Sequence, residues 1–316
     1  MSFMNKTFFT CASIAIDNIT NTFTFVHPLR LSMLRFSKEI KSCVNQGMNN
    51  ADINNYLGES KRLIHGLNYG AIANYTLDDI NNNLAVVLLS HLFSIYEGFC
   101  KEILEELGIT VGLNEDSFKK TVTSISANSE PISFINRNLS SIMDNEIVPQ
   151  ICTSKYYNPS RINYYLLCCK FFKEARNSYI HNNSITGQRL IDAYNAFLPY
   201  NNITSLGIKT LDITTPILGH AINITIESVI GFSNILMKLI ATWDLELART
   251  TFAESLMLAA IKNTKICKSI IGNRLTISHP KKRDFIRRMF KQGIGFPVVS
   301  TVRIDNYLIT NRIFIR

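Results

Sequence analysis

The chain has 316 residues, with 33 Lys and Arg against 24 Asp and Glu, 46% hydrophobic and 18% charged residues. This composition excludes wholesale disorder, which needs low hydrophobicity and a large charge imbalance. With only 14 Gly and 8 Pro it also excludes a collagen-like or Pro-rich chain and favours long helices. The net charge of +9 is unevenly placed: residues 1–250 hold 20 basic against 21 acidic side chains, and residues 251–316 hold 13 against 3. A positive field of that kind suits phosphates or another anionic surface.

Residues 7–27 alternate loosely around the turn-like run D-N-I-T-N and predict two short strands in an N-terminal hairpin over 1–27. From Pro28 the period becomes 3.6, with Leu31, Leu34, Ile40 and Val44 on one helical face. A second short helix fits Ala51 to Leu67, followed by a loop marked by Gly70 and Asn74. The clearest helix starts at Thr76, has Asp78 and Asp79 in its first turn, carries an apolar stripe from Leu84 to Leu107, and stops at Gly108.

Residues 109–158 are polar and irregular. Another strong helix runs from Arg161 to about His181, ended by Asn182-Asn183-Ser184, and a shorter one from Gln188 to Phe197. Strand character is expected near 208–213, then helices over 216–248 and 252–271. The basic run P-K-K-R-D-F-I-R-R-M-F-K follows, and 296–304 with 307–315 around Asp305-Asn306 predict a closing hairpin. The expected organisation is an N-terminal hairpin (1–27), a helical domain (28–250) and a basic C-terminal module (251–316).

Seven cysteines, an odd number without C-x-x-C spacing, read as buried free thiols of a reducing compartment. No segment reads as a signal peptide or a membrane span, so the expected location is cytoplasmic. His65 and His91 have structural roles on this reading, His220 has no obvious sequence partner, and the pairs Tyr156-Tyr157 and Tyr164-Tyr165 fit a core or dimer role better than a base-stacking platform.

One segment carries chemistry. F-F-K-E-A-R-N-S-Y-I-H-N-N-S, residues 171–184, places Arg176, Asn177 and His181 at the end of a helix. Positions five apart point about 140° apart on an ideal helix, so Arg176 and His181 share a face only if the helix loosens there. An imidazole exchanges protons near neutral pH, and a guanidinium offers a fixed fork of donors to a phosphate whose charge grows in the transition state. Together they suit metal-free RNA cleavage with the 2′-hydroxyl as nucleophile.

The segment resembles the HEPN superfamily of all-α proteins, whose hallmark is Arg, a polar residue such as Asn, and His four to six residues further on. R-N-S-Y-I-H, residues 176–181, fits it. The earlier helix L-L-S-H-L-F-S-I-Y-E-G-F-C-K-E-I-L is similar to the earlier long helix of several HEPN groups, in which an aromatic precedes an acidic residue. The resemblance spans roughly residues 30–248. It implies a HEPN-like helical bundle, here with short terminal β-hairpins, and a homodimer with both motifs in one cleft. It also implies a metal-independent endoribonuclease without a cofactor, acting as a toxin or anti-phage effector that has RNA as substrate and an antitoxin or defence partner. His181 would be the general acid–base group, Arg176 the transition-state cation, Asn177 a residue that holds the motif or contacts RNA, and Glu97 a supporting carboxylate.

In the basic run, Arg283, Arg287 and Lys291 fall at i, i+4 and i+8. With Lys281, Lys282 and Arg288 they form a stripe suited to a phosphate backbone. The alternative is a non-catalytic helical module that binds RNA or protein. A third reading makes the chain the acceptor of a partner that modifies it with a nucleotide.

Overall fold

The computed structural model describes residues 7–57, 68–109, 113–120, 129–151, 156–201, 211 and 213–316. Fourteen α-helices run in chain order: α1 Thr10–Asn45, α2 Asn50–Tyr56, α3 Tyr69–Ala73, α4 Leu77–Leu107, α5 Glu115–Lys120, α6 Ser129–Arg137, α7 Val148–Ile151, α8 Ile162–His181, α9 Gln188–Asn201, α10 Ile226–Ala248, α11 Thr251–Asn263, α12 Lys265–Gly272, α13 Lys282–Ile294 and α14 Val302–Thr310. A π turn precedes α7 and a 3₁₀ turn precedes α8. The described residues form no strand longer than an isolated bridge. The protein is mainly helical, as its scarcity of Gly and Pro implies.

The N-terminal hairpin is not formed. A single helix, α1, runs from Thr10 to Asn45 and carries Pro28 inside it. Ala12, Ala15, Ile16 and Ile19 are buried at i, i+3, i+4 and i+7, while Asp17, Asn18 and Asn21 face solvent. The turn-like run is therefore the wet side of a helix. Its threonines bond back along it, Thr22 donating to the Asn18 carbonyl at 2.8 Å. The C-terminal hairpin is likewise absent: Thr301 caps α14 by accepting the Ile304 amide. Ile315 instead bridges Thr276, its carbonyl accepting the Ile277 amide at 2.8 Å. The stretch 252–271 divides at Thr264, whose hydroxyl caps α12. The helix expected from 216 starts at Ile226. Residues 58–67 of the second expected helix, His65, Cys152 and most of the expected strand at 208–213 lie outside the described residues.

The chain divides into two compact units, with the divisions falling within α1, α4, α8 and α10. The first holds residues up to 17, 94–173 and 234–316. Its core is aromatic: the Phe118 ring lies 5.4 Å from Trp243 and 6.5 Å from Phe99, with Phe171, Phe172, Phe290 and Phe314 also buried. Arg249 ties its elements together, with Nε 2.6 Å from Asp144 and Nη1 2.8 Å from Glu246, which also accepts the Tyr157 hydroxyl at 2.6 Å. α11 packs on α13 so closely that a β-carbon on Gly293 would stand 3.0 Å from the Ile261 backbone.

The start of α1 is also fixed in this unit. The Phe8 and Phe9 amides donate to Asp244 at 2.7 and 2.8 Å, and the Thr10 and Cys11 amides to Glu106 at 3.2 and 2.7 Å. Two carboxylates thus satisfy the open amides of the helix start.

The second unit, 18–93 with 174–233, contains the rest of α1 packed through Ile40 and Cys43 on Ile53, Tyr69 and Ala73. Phe93 of α4 meets Phe232 of α10 at 5.5 Å. Residues 184–186 run antiparallel to 219–222: the Thr186 amide donates to the His220 carbonyl at 2.9 Å, and the Ile222 amide to that of Ser184 at 2.8 Å.

α4 and α10 are each long and apolar enough to cross a membrane, although the sequence pattern suggested shorter or more broken runs; 50% and 72% of their most apolar windows are buried inside the protein. The six described cysteines are buried thiols outside any disulfide. Tyr164 and Tyr165 are core residues.

Candidate functional site

The segment that carries the Arg, Asn and His pattern forms the C-terminal turns of α8, in the second unit. The helix stays regular through His181. It loosens only afterwards, at Asn183 and Ser184, whose φ angles of 49° and 65° are left-handed. The Asn182 and Ser184 amides both donate to the Ser178 carbonyl, at 3.1 and 3.0 Å. This double left-handed turn reverses the chain and brings the first turn of α9 back alongside α8.

Between the two helices lies a cavity of about 440 Å³. Glu174, Asn177, Ser178 and His181 of α8 line one side, Asn182 the turn, and Gly187, Gln188, Arg189 and Leu190 the other. The four α8 residues stand at i, i+3, i+4 and i+7, which is one helical stripe. Arg176 is not among the lining residues. Because the helix loosens two residues too late, the separation of about 140° between Arg176 and His181 persists, and the structure does not bring the two into one cavity within this chain.

Asn177 joins them indirectly: it lines the cavity, and its Oδ1 accepts from Arg176 Nη1 at 3.5 Å. Arg176 is half-buried, its Nε is buried without an acceptor, and no carboxylate pairs with it among the described residues. His181 is exposed at the cavity.

Glu97 and the α8 motif fall in different units. Glu97 is exposed on α4 in the first unit, whereas Arg176, Asn177 and His181 belong to the second. His91 bonds Thr22 at 3.1 Å across ring Nε2, and His220 contributes only its backbone to the pairing at 184–186.

The basic run folds as α13. Ile286, Met289 and Phe290 are its buried face, and Lys281, Arg283, Arg287, Arg288 and Lys291 are exposed. Lys282 differs from its neighbours: its Nζ lies 2.6 Å from Asp305, and both side chains are largely covered. It holds α13 to α14 and is committed to the fold rather than to a ligand. Arg288 pairs with Asp284 at 3.0 Å and lies over the Phe285 ring at 5.8 Å.

Sequence reasoning missed Glu174 and Arg189. Glu174 was visible as the residue seven before His181, hence on its face. Arg189 was not, because its place depends on the turn at 183–184. No family model, curated protein or solved structure matches the chain.

Proposed function

We propose that the chain is a metal-independent endoribonuclease of the HEPN type, a toxin or defence effector, acting at the end of α8. The observation that supports this most is the state of Arg176. A half-buried guanidinium with a buried, unsatisfied Nε and no carboxylate among the described residues leaves donors unfilled. An anion from outside the chain, such as an RNA phosphate, would complete it.

In the reaction the 2′-oxygen bonds to phosphorus and the bond from phosphorus to the 5′-oxygen breaks. The 2′-hydroxyl proton goes to a base, the 5′-oxygen gains a proton, and a 2′,3′-cyclic phosphate and a 5′-hydroxyl remain. His181 is suited to either proton transfer, and Arg176 to the extra negative charge on the phosphoryl oxygens.

The separation of Arg176 from the His181 cavity fits a site completed by a second copy, with the cation of one subunit meeting the histidine of the other. Exposed apolar side chains in the same segments support such pairing: Ile180, Ile185, Ile217 at 59% and Leu218 at 56% exposure. The exposed cations of α13 would hold the RNA backbone.

The test is cleavage of RNA by purified protein in EDTA. The wild type leaves a cyclic phosphate or its hydrolysis product. Arg176→Ala and His181→Ala lower the rate by about 10²-fold or more while melting like the wild type. Equal cleavage by all three proteins overturns the reading.

A second reading, a non-catalytic binding module, is favoured by the same separation of Arg176 from His181. It expects salt-dependent RNA binding, no turnover, and little effect of His181→Ala.

A further inference from the structure

We propose that the cavity at the end of α8 holds one phosphodiester, with Arg189 as its cationic contact, and that Glu174 turns away a doubly charged terminal phosphate. This rests on the reading of His181 as an RNA-facing acid–base group, and it names the ligand and the cation that meet there.

The argument starts from what the cavity's charged groups do not do. Arg189 on α9 and Glu174 and His181 on α8 line one space, yet none of the three makes a hydrogen bond or ion pair among the described residues. Elsewhere in this protein the charged side chains that hold the fold are paired. Arg249 has two carboxylates and Lys282 has Asp305. Gln188 is also engaged, its amide donating to Asp192 at 2.9 Å. An acid, a base and a cation left unpaired in one cavity are poised for a ligand rather than for the fold. Arg189 also supplies what Arg176 does not within this chain, a guanidinium on the far wall of the cavity that holds the imidazole.

Size and charge narrow the ligand. A space of about 440 Å³ is in the range of small-molecule sites and takes a phosphate with part of its flanking sugars. Arg189, Glu174 and His181 all line this one space, so their charges meet the same occupant. Arg189 brings a positive charge to this space and Glu174 a carboxylate. A diester brings one negative charge, which the guanidinium can meet. A terminal phosphate brings close to two at neutral pH, and its second charge meets the Glu174 carboxylate. The site therefore favours internal linkages over chain ends, which is the selectivity an endonuclease requires. Asn177 and Asn182 add donors and acceptors at the rim.

The test is binding to the full chain, with two probes that cannot be cleaved at a 2′-hydroxyl. One is a 2′-O-methylated hexauridylate with hydroxyl ends, a diester ligand. The other is uridine 3′-monophosphate. The His181 imidazole signals, assigned by their loss in His181→Asn, report occupancy by NMR.

The hexamer should shift them saturably. Arg189→Ala should weaken its binding about ten-fold or more, and Arg189→Lys should restore part of the loss. Glu174→Gln should tighten the monophosphate about ten-fold and the hexamer by clearly less. No shift of His181 in the wild type, or equal hexamer affinity in Arg189→Ala, overturns the site. Tighter monophosphate than hexamer binding in the wild type overturns the role of Glu174. Cleavage in EDTA reads the nuclease separately. Binding with these signatures but no cleavage sinks the nuclease and leaves the phosphate site. Cleavage with Arg189→Ala binding as the wild type does sinks the site and leaves the nuclease.

Discussion

Asp244 is fully buried; the Phe8 and Phe9 amides donate to its carboxylate, and Glu106 and Cys11 lie near it. Burial pushes its pKa up to about 7, Glu106 adds to the rise, and the Phe8 and Phe9 amides oppose it. A carboxyl raised above its unfolded value binds its proton more tightly in the folded state, so it favours folding at low pH. That contribution is complete below the ordinary carboxylate range and is lost as pH rises through about 7. The melting temperature should therefore fall between pH 5 and pH 8, measured by circular dichroism in constant ionic strength. Asp244→Asn should melt lower at pH 5, because one carboxamide cannot accept from both amides, and should show a flatter pH dependence. An unchanged slope in that variant would refute the assignment. Arg176 and His181 are the opposite kind of residue: replacing either leaves the core intact, so their variants should differ from the wild type in cleavage and not in melting.

At the scale of elements, close packing and caps decide what the sequence could show. Helices α4 and α8 were legible because their apolar stripes are long and their ends are marked by Gly108 and by Asn182-Asn183. α1 was not. Its buried side is made partly of Ala12 and Ala15, which are weak signals, while Ile14 and Phe25 face solvent and imitate alternation. Pro28 and the Asp-Asn run added false breaks. The break at Thr264 was hidden because Ile261, Cys267 and Ile270 continue the apolar pattern across it. The contact of α11 with α13 gives a prediction of its own. A methyl on Gly293 would lie 2.8 Å from the Ile261 side chain and 3.0 Å from its backbone, which cannot retreat as a side chain does. Gly293→Ala should cost about 1–3 kcal/mol in urea denaturation, although alanine is the better helix former by about 1 kcal/mol. A stabilised variant would mean that the two helices can part. In the site, His181 and Asn177 were legible from their motif. The partner wall was not, since local pattern does not show where a left-handed turn will send the next helix.

For the molecule as a whole, the excess positive charge is concentrated in residues 251–316, in the first unit, and Lys281 with the four exposed cations of α13 is its densest part. RNA binding should weaken steeply as salt rises. Arg287→Ala and Lys291→Ala should each reduce the slope of log affinity against log salt by about 1, read by fluorescence anisotropy. Lys282→Ala should leave the slope nearly intact and lower stability instead, because its ammonium is bound to Asp305. The reverse pattern would place the phosphate track on another face. The clamp on the start of α1 reaches across the whole sequence. Residues 8 and 9 are anchored by a carboxylate more than 230 positions later. On a ribosome adding about 5–20 residues per second, the opening segment is made on the order of tens of seconds before its anchor exists. Glu106 serves Thr10 and Cys11 earlier, but until then Phe8 and Phe9 lack their acceptor, so a chain halted in translation short of residue 244 would leave the lead-in to α1 without its anchor.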